Sequence, residues 1–202
     1  MIGFALGRSL RLETARLYLR RPRLTDWRAW STVRNASRDF LVPWEPSWAE
    51  DALTIAAYRR RLRQMAAEWR TDQGYGLFLF LKADNGLVGG VNFSNVRRGV
   101  AQTASLGYWM SAAHAHQGMM GEALTVLLPY AFERLGLHRI EAACLPHNKA
   151  SRALLAKLGF REEGLAQKYL KINGIWQDHV LHGLLAEEYS TAARRSSPSM
   201  AR

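Results

Sequence analysis

Three groups of residues in this 202-residue chain have the types and spacing to do chemistry. The first is LGYWMSAAHAHQGMMGE, Leu106 to Glu122, where an apolar strand-like run ends at Met110, a polar loop follows and Gly118 opens a long amphipathic helix. A helix N-terminus offers backbone N–H groups without intrahelical partners and the positive end of a macrodipole. The amides of His116, Gln117, Gly118, Met119, Met120 and Gly121 therefore suit a phosphate-bearing ligand. The second group is Asn148 and Ser151, three apart at the opening of a shorter helix. Asn148 reads equally as an N-cap or a ligand contact, and Ser151 as a further bond to the helix end or an uncharged hydroxyl proton donor. The third group is the carboxylates Glu45, Glu141 and Glu163, each a candidate base and each also explicable as a structural ion-pair partner. His114 and His116 lie in the loop without the cysteines or carboxylates of a zinc site, so no metal is expected. Cys144 sits in an apolar strand and reads as a buried thiol rather than a nucleophile.

The elements that position these residues follow from periodicity. RLYLRR, Arg16–Arg21, alternates as a half-buried first strand. Thr25 and Asp26 offer a cap to a helix carrying Trp27, Trp30 and Val33, and Pro43 and Pro46 bracket a rigid PWEP loop. A second helix is expected from about Ala49 to Arg70, its polar face rich in arginine. Strands over Gly76–Lys82 and Leu87–Ser94 flank an Asp-Asn-Gly turn, and Ala104–Met110 follows as the fourth strand. The helix from about Met119 to Leu135 ends at Gly136. It separates this strand from a fifth, His138–Leu145, so the two are expected to be parallel in a right-handed crossover. The Asn148 helix and a final hairpin turning at Asn173-Gly174 complete the order β-α-α-β-β-β-α-β-α-β-β. That order is an α/β (α+β) mixed sheet with helices on its faces.

Composition bounds the function. One domain is expected over residues 1–190, with a disordered basic tail over 191–202. MIGFALGRSLRLE lacks a basic leader and cleavage site, which predicts no secretory leader, and no apolar run approaches the ~20 residues that span a bilayer. A single cysteine fits the reducing cytoplasm. The net charge of +11 fits a polyanionic ligand or partner, whether nucleotide phosphate, RNA or a protein held on RNA, as well as a solubilising surface.

The element order, with a phosphate-loop helix after the fourth strand, resembles the GNAT family of acetyl-CoA-dependent N-acetyltransferases. HRIEAACLPHNKASRALLAKLGFREEG and YLKINGIWQDHVLHGL are similar to the ribosomal protein alanine N-acetyltransferases of the RimJ/RimL type, as are PWEP and RLYLRRPRLTDW. The resemblance runs from about Arg16 to Leu185. It implies a mostly antiparallel, twisted sheet splayed between the fourth and fifth strands, with helices on both faces. It also implies acetyl-CoA as co-substrate, with its thioester in the splay near Tyr108, Trp109 and Met110 and near Cys144–Leu145, and its oxygen on the Met110 amide. The side chains of Tyr108 and Trp109 read as core packing. Asn148 would then touch the pantetheine arm or a water, and Ser151 would lie near the sulfur as proton donor. The family loop, Q/R-x-x-G-x-G/A, is matched outright only at Gly118: Ala115 and Met120 stand at its first and sixth positions, and His116 replaces a common second glycine. A glutamate that related enzymes carry four residues before the last turn is Leu170 here, which leaves Glu45, Glu141 and Glu163 as candidates and a water relay as an alternative. The implied function is acetylation of the N-terminal α-amine, an alanine, of a ribosomal protein in the cytoplasm, with rRNA contact through the basic surface. A small-amine acetyltransferase and a non-catalytic RNA-binding module are the rival readings.

Overall fold

The structure, a computed structural model, describes residues 10–189; the expected basic tail and the first nine residues lie outside them. Among the described residues the chain runs β1 (Arg11–Glu13), β2 (Leu17–Arg20), α1 (Trp27–Ala36), α2 (Arg38–Leu41), α3 (Ile55–Arg70), β3 (Tyr75–Leu81), β4 (Leu87–Arg97), β5 (Thr103–Met110), α4 (Met119–Pro129), β6 (Arg139–Cys144), α5 (Lys149–Lys157), β7 (Arg161–Ile172) and β8 (Ile175–Leu185). The strands form one sheet in the order β1-β2-β3-β4-β5-β6-β8-β7. Every neighbouring pair is antiparallel except β5 and β6, which are parallel as the intervening helix requires.

The continuous apolar run YGLFLFL makes β3 a strand covered on both faces. Leu77 and Leu79 point into a core completed by Ala123, Leu124, Leu127 and Leu128 of α4 and by Leu155 of α5. Phe78 and Phe80, one residue out of phase, pack on Trp30 of α1 and Tyr58 of α3. Helices therefore cover both faces, and α4 and α5, the two that open beside the candidate residues, share one of them.

Several boundaries move for physical reasons. β1 is an additional three-residue strand on Leu19, which makes the expected fourth and fifth strands β5 and β6. α3 begins at Ile55 rather than near Ala49 because Thr54 caps it, its side chain accepting from the Ala57 amide. Asp26 does not cap α1 with its side chain. Its buried carboxylate instead takes both guanidinium nitrogens of Arg20, at 2.8 and 2.7 Å, and the Arg23 amide at 2.7 Å. α4 contains Pro129 and passes into a π-helical stretch over Tyr130–Arg134 before Gly136 turns the chain at φ +64°. The residue four before Pro129, Thr125, accepts a long hydrogen bond from the Tyr189 hydroxyl at 3.5 Å instead. Tyr189 belongs to a helical turn over 186–189.

Candidate active site

β5 and β6 pair only over Thr103–Ser105 with Arg139–Glu141, and beyond that register they part. The Ser111 amide donates to the Val88 carbonyl at 2.8 Å. In an antiparallel ladder alternate residues turn their N–H groups away from the partner, so the amides of Met110 and Tyr108, paired with Gly89 and Val91, face the gap beside β6. The gap opens into a cavity of about 480 Å³. It is walled by the ends of β5 and β6, the loop from His114 to Gly121, the first turns of α4 and α5, and the segment Phe40–Glu45.

The loop builds a cradle at the mouth of α4. His116 and Gly118 both adopt left-handed backbone, φ +59° and +75°, and the first helical hydrogen bond is the Glu122 amide to the Gly118 carbonyl at 3.0 Å. The amides of Gly118 to Gly121 therefore lie ahead of the helical ladder and are free to bind an anion. The cradle is pinned from two sides. Ser37 Oγ accepts from the Ala112 amide at 3.0 Å, while Phe40 meets the His116 ring edge-on at 6.3 Å. On the other side Glu122 accepts from Thr14 Oγ1 at 2.6 Å, the Arg16 amide at 2.7 Å and Arg16 Nε at 2.6 Å. Burial pushes the Glu122 carboxyl up, but those bonds outweigh it and leave it below its ordinary value. Arg16 also donates to the Gln117 carbonyl at 3.1 Å, which puts a cation beside the cradle.

A splayed parallel pair feeding an amide cradle is the geometry in which sequence similarity becomes decisive. A family model described as an acetyltransferase (GNAT) domain matches residues 16–161. The chain belongs to the GNAT acetyltransferase family. It is 37% identical over 182 residues to the ribosomal protein uS5-alanine N-acetyltransferase of Escherichia coli, which covers 90% of this chain and 93% of that relative. It is 36% identical over 174 residues to the probable N-acetyltransferase YjcK of Bacillus subtilis, covering 86% and 96%. Among solved structures, Mycobacterium smegmatis RimJ in complex with CoA-disulfide matches with a TM-score of 0.84 at 33% identity, over 93% of this chain and 96% of that one. The eight-stranded mixed sheet with helices on both faces is the GNAT fold, and the chain is an acetyltransferase related to the ribosomal protein N-acetyltransferases.

Within this GNAT site the structure brings together most of the residues singled out by sequence. Asn148 caps α5, its Oδ1 accepting from the Ser151 amide at 3.0 Å, and it also lines the cavity. Ser151 Oγ shares a hydrogen bond of 2.7 Å with the Tyr108 hydroxyl. Tyr108 is thus more than core packing, since its hydroxyl enters the cavity wall. Burial pushes that hydroxyl up to about 12, against a smaller opposing effect of the Ser151 bond, so it stays protonated and able to donate at neutral pH. Burial likewise pushes the Cys144 thiol up, Ser151 again opposing. Trp109 lines the cavity and meets Phe78 edge-on at 6.5 Å.

The three carboxylates separate. Glu45 reaches the cavity, but Arg34 grips both its oxygens, at 2.7 and 2.5 Å, and Trp48 Nε1 donates to one of them at 2.9 Å. Glu141 lies at the paired end of β6 with Arg139 at 3.0 Å and Arg97 at 3.2 Å, outside the cavity lining. Glu163 is bound to Arg139, which holds its carboxyl below the ordinary range. The structure therefore brings neither Glu141 nor Glu163 to the cavity lining. Among the described residues no group of three or more histidines, cysteines and acids could hold a metal ion, and no helix is long and apolar enough to cross a membrane. Two site residues went unnoticed in the sequence. Arg34 is eleven positions from its partner Glu45, and His179, which no motif or spacing marks, lines the cavity.

Proposed function

We propose that this GNAT protein is a cytoplasmic, acetyl-CoA-dependent N-acetyltransferase of a ribosomal protein N-terminus, with alanine as the acceptor residue. The observation that carries the substrate is the 37% identity to the uS5-alanine enzyme along nearly the whole of both chains. The residues present fit acetyl-CoA: left-handed backbone at His116 and Gly118 leaves a run of unpaired amides with Arg16 beside them, and the gap between β5 and β6 continues from that cradle. Bound there, acetyl-CoA supplies an acetyl group already activated as a thioester.

The chain's own residues divide the remaining tasks. Amides from His116 to Gly121 hold the pyrophosphate through main-chain contacts, which is why the loop works with only one matching glycine. The amide of Met110 donates to the oxygen on which charge develops. Ser151 and Tyr108 act as one hydroxyl relay that gives a proton to the departing sulfur and regains one from the nitrogen. Neither hydroxyl needs to ionise for this. Glu45, clamped by Arg34, serves as a positioning residue in the acceptor wall. Its main-chain carbonyl accepts from the Asn173 amide at 2.9 Å, which fastens the β7–β8 turn over the mouth. Transfer is direct, because a thiol held protonated by burial makes Cys144 a poor acceptor of the acetyl group. The basic surface, including the arginines of α3, complements RNA around such an N-terminus and disfavours polycationic small amines.

The test is a CoA-release assay against peptides differing in their first residue, beside a panel of small amines. Preferential turnover of an N-terminal alanine peptide is expected, and turnover confined to small amines refutes the reading. Ser151→Ala should lower the rate by ~10²-fold or more while acetyl-CoA still raises the melting temperature. No thermal shift at millimolar acetyl-CoA in the native chain would favour the non-catalytic binding module instead.

A further inference from the structure

We infer that His179 is the group that takes the proton from the acceptor amine. The inference rests on the proposed amine-acetylating site and adds the base that site otherwise lacks. An α-amine has an ordinary value of about 7.7–8.0, so near neutral pH most of it is protonated and cannot attack. Neither Glu141 nor Glu163 lies at the cavity, and both oxygens of Glu45 are taken by Arg34, one by Trp48 as well.

His179 differs from these in geometry. It stands on β8 beside Val180, which pairs with Cys144 at the last position of β6, so it sits level with the open end of the splay. It is only 3% exposed and lines the same cavity as Met110, Ser151 and Tyr108. Its Nδ1 lies 3.0 Å from the Gln177 carbonyl oxygen. A carbonyl oxygen only accepts, so Nδ1 carries the proton and the neutral ring keeps a bare lone pair on Nε2. Tyr169 of β7 meets the ring at 5.8 Å and holds its plane. The anchoring a general base needs is thus built into two strands of the hairpin, with Nδ1 tied to a main-chain carbonyl and the ring held against Tyr169 in the cavity wall. Other titratable groups share this cavity: Tyr108 of β5, Cys144 of β6, Glu45 paired to Arg34, and His114 and His116 of the cradle loop, with Tyr169 flanking from β7.

The proton balance is simple. One N–H bond of the ammonium breaks, its electron pair stays on nitrogen, and the proton passes to Nε2, directly or through one water, and then to solvent. As the new C–N bond forms and the C–S bond breaks, the second amine proton travels through the Ser151–Tyr108 pair to the sulfur. Amide, thiol and one released proton are the products.

The experiment compares the native chain with His179→Gln and His179→Asn. In nitrogen-detected histidine spectra of the native chain, the neutral ring of His179 should carry its proton on Nδ1; a proton on Nε2 overturns the proposal whatever the acceptor. With an α-amine peptide at pH 7, both variants should lose ~10²-fold or more in kcat with little change in KM. That loss should shrink as pH rises past the amine's value of about 8. Acetyl-CoA should still raise the melting temperature of both variants. A native rate and pH profile overturns the proposal, and so does loss of the acetyl-CoA thermal shift, which would make His179 part of the cofactor site. A native chain active only on small amines refutes the ribosomal reading, and the same comparison on those amines then decides the role of the histidine.

Discussion

The Arg34–Glu45 pair decides whether the Glu45 carboxylate at the cavity does chemistry or holds the wall. Arg34 bonds both oxygens of Glu45, their side chains are 12% and 21% exposed, and the guanidinium also lies over the rings of Trp48 at 4.3 Å and Trp109 at 5.0 Å. Removing one member of a fully buried pair strands the other charge at about 3–5 kcal/mol, and this pair is partly buried. Glu45 would keep the Trp48 N–H, so the lower end applies to Arg34→Met, about 3 kcal/mol. At roughly 2–4 °C per kcal/mol for a chain of this size, the melting temperature should fall by about 6–12 °C. Replacing both partners, Arg34→Met with Glu45→Met, removes the stranded charge and should recover a large part of that loss. Glu45→Gln keeps the side chain's shape and the main-chain bond to Asn173, and its rate of CoA release should stay within about tenfold of native, against the ~10²–10⁴ expected for loss of a general base. Thermal melts and initial rates on the same preparations check both halves. The reasoning is refuted if Arg34→Met melts within about 2 °C of native, or if Glu45→Gln loses more than about a hundredfold in rate.

Two further outcomes follow from the same geometry. Gly118 sits at φ +75°, and a Cβ there would meet only an Arg16 nitrogen, at 3.9 Å. Gly118→Val should therefore fold with a penalty of about 1–2 kcal/mol for left-handed backbone, yet weaken acetyl-CoA binding measured by calorimetry; unchanged affinity would remove the cradle from the cofactor site. Burial holds Tyr108 up at about 12, and raises Tyr58 and Tyr75 as well. The folded state thus keeps protons that the unfolded chain loses near its ordinary value of about 10, and stability should be full below that pH and fall as pH climbs from about 10 to 12. Denaturant midpoints across that range check it, and a flat profile contradicts the burial of these hydroxyls.

The backbone of this fold was legible because its signals are local. YGLFLFL, the Asp-Asn-Gly and Asn-Gly turns, the Gly118 helix mouth and the Asn148 cap each specify their element within a few residues. The parallel pairing of β5 with β6 followed from the helix between them. The site's side-chain partnerships were less legible because they join residues far apart in the chain. Tyr108 and Ser151 are 43 positions apart and Arg16 and Glu122 are 106 apart, and no period or spacing announces such contacts. Asp26 illustrates the competition: a residue well suited to capping α1 is drawn instead to the partly buried Arg20, where a bidentate bond is stronger than a neutral cap. His116 shows the reverse, since a poor match to the family glycine still reaches left-handed backbone, which histidine tolerates better than most residues.

The three-residue register between β5 and β6 leaves one sheet with two ladders that share a single apolar core. Strands β1 to β5 form one ladder and β6, β8 and β7 another, joined by three residue pairs. A ligand whose amides span the gap would supply the missing rungs and so act as part of the sheet rather than as cargo. Its effect would then exceed a rise in melting temperature: hydrogen exchange at the Tyr108 and Met110 amides, which face the gap, should slow when the ligand binds.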